Sequence, residues 1–290
     1  MKLTDSHTDF LTEIKLKKER EKYINKIKNN IKYISCAVFT TNKIINIEKI
    51  KKYLKEIEKY NKKYNLNLIL SIEDLGFIKS EKEIKELIKL KPISATLTWN
   101  NKNQFAGGSL TNDGLTKLGI KTIRLLEENN ILVDTAHLSK KAFYNFAKIT
   151  TKPIYNSHAN INTLFAHPRN LTNNQIEKIV KSNGFLGLTI YEHFISNQKI
   201  TCKDIALQFD YLIKKYGHKN FGLGTDLFGI EKECLPTDFS DYTQVDNLVL
   251  EFKKLNFSQE IIDAILFKNY EDFLLRNKMI WLLIDYVKLN

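Results

Sequence analysis

Eight short runs rich in β-branched and aromatic residues recur along this 290-residue chain, with stretches of helical periodicity between them. Strands that alternate with helices in this way build a parallel sheet from βα units, and eight such units are the number that closes a (β/α)8 (TIM) barrel. The runs fall at Leu3–Ser6, Tyr33–Phe39, Asn67–Ile72, Ile93–Leu97, Leu132–Thr135, Pro153–Asn156, Phe185–Ile190 and Phe221–Thr225. Between the fourth and fifth, Asp113 to Asn129 reads as a helix with Leu115, Leu118, Ile123, Leu125 and Leu126 on its apolar face. From Gln244 to Asn290 the pattern is amphipathic helix without a further strand, expected to close and cover the barrel. No repeat, linker or Pro/Gly-rich hinge divides the chain, so one domain over residues 1–290 is expected.

Composition narrows the function classes. Hydrophobic residues make up 43% and aromatic residues 11%, enough for a sizeable core and unlike a disordered chain. Cys36, Cys202 and Cys234 are widely spaced and form no CxxC pair, which argues against a disulfide framework or a thiolate zinc site. The start, MKLTDSHTDF, lacks the apolar stretch of a signal peptide, and no run is long enough to cross a bilayer, so a cytoplasmic protein with no membrane partner is expected. The formal charge of +12 raises nucleic-acid binding. Against it, only Arg20, Arg124, Arg169 and Arg276 are arginine, and the lysines alternate with glutamate at helical spacing, the mark of solvated helix faces. No nucleic-acid partner is expected.

The chemistry lies in where histidines and carboxylates fall. In an α/β barrel the reactive groups sit where strands end and βα loops begin. His7 and Asp9 follow the first run, Glu73 the third, His137 the fifth, His158 the sixth and Asp226 the eighth. His7 and Asp9, two apart in extended chain, project to one side and could grip one cation. Three of six histidines and three carboxylates at one barrel mouth would be costly to bury together without a compensating cation. His193, His167 and His218 read as structural. Asp74 competes with Glu73, which is favoured because it directly follows the apolar run ending at Ile72.

The segments that carry these residues resemble the membrane (renal-type) dipeptidase family over nearly the whole chain. The likeness lies in Asp5-Ser-His-Thr-Asp9, Ser71-Ile-Glu73, Leu97-Thr-Trp-Asn100, Val133-Asp-Thr-Ala-His137-Leu-Ser139, Asn156-Ser-His158, His167-Pro-Arg-Asn170 and Gly222-Leu-Gly-Thr-Asp226. The resemblance implies a metallopeptidase with two divalent ions, zinc being the expected metal, that cleaves dipeptides with a water activated between the ions. It assigns His7 and Asp9 to one ion, His137 and His158 to the other, Glu73 as the bridge, and Asp226 beside the first ion as the proton-handling catalytic group. Arg169 would pair with the substrate's carboxylate, with Asn170 and Tyr191 lining the same pocket.

Two positions depart from the family pattern. Trp99 stands where many members have a histidine proposed to stabilise the tetrahedral intermediate, and Phe228 replaces the second aspartate of an Asp-Phe-Asp-Gly sequence. Trp99 leaves two alternatives open: a metal-dependent hydrolase of another amide or a lactone, or a weakly active or non-catalytic metal-binding homologue. A small dipeptide-like amide is the expected partner, and a homodimer is compatible with the sequence.

Overall fold

The computed structural model describes residues 2–40 and 46–277, and the C-terminal part of the expected tail, residues 278–290, lies outside the described residues. Eight parallel strands follow in chain order around one sheet: β1 (Leu3–Thr8), β2 (Ile31–Phe39), β3 (Leu68–Glu73), β4 (Ser94–Thr96), β5 (Leu132–Asp134), β6 (Tyr155–Ala159), β7 (Phe185–Leu188) and β8 (Phe221–Leu223). The sheet curls until its ends meet. At the seam the Asp226 amide donates to the His7 carbonyl at 3.1 Å and the Asp9 amide to the Leu227 carbonyl at 3.0 Å. Asp5, buried between β1 and β8, accepts from the Thr225 amide at 2.9 Å and the Tyr242 hydroxyl at 2.6 Å.

Helices fill the connections, and their ends follow from local chemistry. Asn46 accepts from the Lys49 amide to start the helix Ile47–Tyr64, which stops where Asn65 turns into the left-handed region at φ 52°. That helix buries Ile47, Ile50, Ile57 and Tyr60 at helical spacing. The expected helix between the fourth and fifth strands is shorter, Lys117–Glu128, because Thr116 caps it by accepting from the Gly119 amide. Its buried face is also rotated from the expected one: Gly119, Thr122, Ile123 and Leu126 are covered, whereas Leu118 is 42% exposed. Gly119 explains the rotation. A Cβ there would stand 2.0 Å from the Phe105 carbonyl oxygen, so the helix docks through its one residue without a side chain and Leu118 turns outward.

The chain after β8 runs as helices Val245–Lys254 and Gln259–Asp263, a π-helical turn Ala264–Lys268 and the helix Asn269–Arg276. The last two segments seal the end of the barrel where strands begin. Tyr270 and Phe273 pack with Ile93, Leu132, Tyr155 and Phe185, and the Tyr155 and Phe273 rings stack at 5.5 Å. Asn269 fastens this plug by donating to the carbonyls of His218 and Phe221. The plug leaves the opposite end, where strands finish, open for chemistry. Among the described residues no helix is long and apolar enough to cross a membrane.

Candidate metal centre

Three strands run further than their apolar patterns suggest. His7 lies within β1, Glu73 ends β3 and His158 lies within β6, where the sequence runs alone placed all three just beyond their strands. Glu73 itself pairs with Phe39, and just past His7 and His158 the ladders resume at Thr8 with Cys36 and at Ala159 with Leu188 after irregularities in register. His137 and Asp226 occupy loops, and both adopt left-handed backbone, at φ 66° and 62°. Such strain in non-glycine residues persists where surrounding contacts fix it, commonly at reactive sites. At Asp226 the seam bond to the His7 carbonyl supplies such a contact.

Together these residues form one buried cluster centred on Glu73. Its Oε2 lies 3.6 Å from His7 Nε2, while Oε1 lies 2.7 Å from His137 Nε2 and 3.8 Å from His158 Nε2. His7 Nε2 also stands 3.5 Å from Asp9 Oδ2 and 3.6 Å from Asp226 Oδ1. His137 Nε2 and His158 Nε2 are 2.9 Å apart. Arg169 reaches over this pair, its Nη2 3.1 Å from His137 Nε2 and donating to the His158 carbonyl at 3.2 Å.

The donor atoms suit a divalent cation. One ligand atom from each of His7, Glu73 and His158 lies within 4.8 Å of the others, and the same holds for His7, Asp9 and Asp226. His7 Nε2 and Asp9 Oδ1 are buried with no hydrogen-bond partner among the described residues. Groups so placed ordinarily satisfy their lone pairs, and His7 Nε2 faces Glu73, Asp9 and Asp226. Imidazole and carboxylate donors without a thiolate fit zinc and its first-row neighbours. Opposite each imidazole's inner nitrogen stands an outer contact: Asn100 Oδ1 lies 2.9 Å from His137 Nδ1, and Ser157 Oγ lies 2.7 Å from His158 Nδ1.

The electrostatics reflect the same crowding. Burial opposes the charged form of His7, yet the Glu73 and Asp9 carboxylates override it and hold this imidazole well above its usual range. Burial opposes ionisation of Glu73 too, but His7 and His137 bring it below the ordinary carboxylate range. Burial and the Arg169 charge depress His137 to about 3, and burial with the neighbouring His7 and Arg169 charges keeps His158 well below normal. Burial, reinforced by the Asp9 and Glu73 charges, lifts Asp226 well above the usual aspartate value. Two neutral imidazoles, those of His137 and His158, thus face one ionised carboxylate, that of Glu73.

A cavity of about 840 Å³ opens above the cluster. Asp9, Glu73, Trp99, His137, Arg169, Tyr191 and Asp226 all reach its wall, whereas His7 and His158 do not. Asn170 does not: its amide donates to the Phe165 and Phe194 carbonyls at 2.8 and 2.7 Å, so it braces the loop that carries Arg169 and is absent from the cavity lining. His167 and His193, read as structural from sequence, do border the cavity, and His193 Nε2 lies 3.5 Å from Cys234 Sγ. Asp74 instead turns away, accepting from the Gly76 amide and from Asn103. Asn100, Ser157 and Asp134 were not singled out from sequence, although all three lie within the quoted motifs, Asn100 next to Trp99 and Ser157 next to His158. Phe39, Leu110, Phe194, Phe228 and Ile230 give the cavity apolar walls that no local spacing reveals.

The family model of the membrane dipeptidases, peptidase family M19, matches residues 8–272. The chain belongs to this family. Among curated relatives, an uncharacterized protein of Klebsiella pneumoniae encoded in the pqqA 5′ region is 27% identical over 229 residues, covering 74% of this chain and 83% of its own. An uncharacterized dipeptidase of Schizosaccharomyces pombe is 28% identical over 181 residues, 59% of this chain and 43% of that protein; several other curated relatives are likewise spanned over about half their length. Among solved structures, a metallo peptidase from Rhodobacter sphaeroides liganded with a phosphinate mimic of the dipeptide L-Ala-D-Ala superposes with a TM-score of 0.82 at 17% identity, covering 96% of this chain and 99% of that one. A probable dipeptidase from Pseudomonas aeruginosa superposes with a TM-score of 0.75 at 13% identity over 89% and 87%. Such distant structural likeness establishes the shared barrel.

Proposed function

We propose that this M19 protein is a zinc-dependent dipeptidase that holds two ions at the open end of its barrel, one by His7 and Asp9, the other by His137 and His158, with Glu73 shared. The observation that carries the reading is the division of the Glu73 carboxylate, one oxygen toward His7 and the other toward His137 and His158. A carboxylate disposed in this way serves two cations at once. Bound there, the ions would polarise the scissile carbonyl and lower the pKa of an attacking water toward neutrality.

The chain's own groups supply the remaining steps. Asp226 Oδ1 takes the proton of the attacking water and passes it to the leaving amine, a role suited to its position: 18% of its side chain is open, against 4% for Asp9 and 6% for Glu73. Arg169 pairs with the free carboxylate of a dipeptide, which its buried, planar guanidinium recognises better than an ammonium could. The dipeptide's side chains lie against the apolar walls formed by Phe39, Leu110, Phe194, Phe228 and Ile230. Tyr191, packed edge-on to Phe194, lines the same pocket.

Elemental analysis with parallel assays of free dipeptides, N-acyl amino acids, carboxyl-blocked amides and lactones tests this reading. We expect about two zinc ions per chain and hydrolysis of free dipeptides that disappears on chelation and returns with zinc. Faster turnover of carboxyl-blocked amides or of lactones would transfer the activity to another substrate class. Bound metal without hydrolysis of any of these compounds would make the protein a non-catalytic metal binder.

A further inference from the structure

The Ser157 hydroxyl lies between the two halves of the cluster. Its Oγ is 2.7 Å from His158 Nδ1 and 3.4 Å from His7 Nδ1. These are the outer nitrogens of the two rings, the ones turned away from Glu73. A serine hydroxyl has one proton to donate and two lone pairs to accept with. The Asp134 carboxylate, which receives the Ser157 amide at 3.0 Å, is the acceptor we assign to that proton. With the proton so assigned, both lone pairs face imidazole nitrogens, and both nitrogens donate.

We infer that Ser157 is a shared positioning residue, one hydroxyl that fixes the orientation and tautomer of a histidine at each of the two proposed metal positions. The inference rests on the two-ion reading above. With Nδ1 of both rings committed as donor, only Nε2 is left to turn its lone pair to a cation: His158 presents it bare, and His7 presents it once a cation displaces the proton that Glu73 and Asp9 favour there. Asn100 does the same for His137 alone, since its Oδ1 stands 2.9 Å from that ring's Nδ1. Ser157 differs in serving two rings from two strands that are not neighbours in the sheet, β1 and β6. The coupling is therefore built across the barrel interior.

The placement of the hydroxyl is rigid. The Ser157 carbonyl accepts from Ser6 Oγ at 2.6 Å, and the same Ser6 hydroxyl reaches the Leu223 carbonyl at 2.9 Å. Two glycines let β7 and β8 press against this carbonyl: a Cβ at Gly187 would lie 2.1 Å from the Ser157 oxygen, and one at Gly224 only 1.8 Å. Asp134 is itself anchored by the Ala136 amide at 3.0 Å. Backbone amide, carbonyl and hydroxyl of one residue are thus all engaged within the barrel, and the residue is 1% exposed.

Two measurements on the full chain test the assignment. In metal-stripped protein, ¹⁵N NMR of the histidine side chains should show His158 as a single tautomer protonated at Nδ1, and in Ser157→Ala a mixture of tautomers. A wild-type His158 protonated at Nε2 overturns the proposal, whatever the variant does. Zinc titration against a competing chelator should show both affinities lowered about 10- to 100-fold in Ser157→Ala, with Ser157→Thr, which keeps the hydroxyl, recovering most of the loss. Loss at one ion only, or affinities within twofold of wild type, overturns the shared role while leaving the two-ion reading intact. A wild-type chain that takes up no zinc ends both.

Discussion

Arg169 Nη2 donates to the His158 backbone carbonyl at 3.2 Å, so the side chain proposed to read the substrate's carboxylate is braced by the strand that carries a proposed ligand. The guanidinium is 6% exposed, and burial lowers its pKa to about 10, with nearby Asp226 and Glu73 opposing that fall. It therefore stays charged at neutral pH. Lysine would keep the charge and lose the planar fork. Arg169→Lys is expected to raise KM for free dipeptides roughly 10- to 100-fold, in line with about 1.5–3 kcal/mol for hydrogen bonds to a charged group. A carboxyl-amidated dipeptide should show little change. Equal losses on both substrates would mean that the arginine acts only as a brace.

Glu73 faces donors on both sides, so removing its charge should strike both proposed ions. Glu73→Gln is expected to bind less than one zinc per chain and to lose dipeptide hydrolysis. The wild type should melt higher with zinc than after chelation: an ion present at a thousand times its dissociation constant stabilises by about 4 kcal/mol, on the order of 10 °C for a domain of this size. Thermal melts of both proteins with and without zinc check this. A zinc-induced rise as large in Glu73→Gln as in wild type would remove Glu73 from the centre.

The barrel was legible because each buried strand is a compact β-branched or aromatic run, and all eight fall within a few residues of their expected places. Strand ends were less legible. His7, Glu73 and His158 are polar, so an apolar pattern stops short of them, while the ladder continues through backbone bonds that ignore side-chain polarity. The outward turn of Leu118 was hidden for another reason: the approach of Gly119 to Phe105 is a tertiary contact, and periodicity sees only the helix's own sequence. The gathering of His7, Glu73, His137, His158 and Asp226 followed from strand order alone. Asn170 misled because adjacency to Arg169 along the chain does not fix direction, and its amide turns to the Phe165 and Phe194 carbonyls. Asn100 and Ser157 act on the far nitrogens of the rings, a relation that exists only in three dimensions.

The depressed His137 gives the metal-stripped protein a pH signature. Its imidazole titrates near 3 in the fold, against about 6.5 in the unfolded chain, because burial and Arg169 disfavour the charged form. The unfolded state thus binds the proton first as pH falls. The stability associated with neutral His137 is complete above about 6.5 and is lost progressively between there and about 3. His137→Gln removes this titration. Between pH 7 and pH 4 the melting temperature of His137→Gln should rise relative to wild type, with a limiting slope of about 1.4 kcal/mol per pH unit. A difference that stays flat over that window would place the His137 pKa near its ordinary value.

Trp99 lines the cavity beside His137, with ring centroids 5.9 Å apart, and packs edge-on to Phe39 at 5.3 Å. The family resemblance implies a histidine at this position in many members, proposed to stabilise the tetrahedral intermediate. Trp99→His should therefore raise kcat for dipeptides, up to the roughly 10²-fold that one well-aimed donor is worth, with KM little changed. Steady-state kinetics on a matched dipeptide series decides it. A kcat that falls would show that the indole already supplies the contact or shapes the pocket that does.

The two ends of the barrel should answer to mutation separately. Phe273 is fully buried in the plug against Tyr155 and Phe185, at the end where strands begin, and touches none of the proposed ligands. Truncating it leaves a cavity among aromatic rings, and Phe273→Ala is expected to cost about 3–5 kcal/mol. Tyr155 nevertheless links the ends, since its hydroxyl donates to the Ser6 carbonyl at 3.1 Å, one residue from His7. If that link is only structural, Phe273→Ala melts lower but retains wild-type zinc affinity and kcat per folded molecule at 20 °C. Zinc affinity that falls along with the melting temperature would show that the plug holds β1, and with it His7, in register for metal.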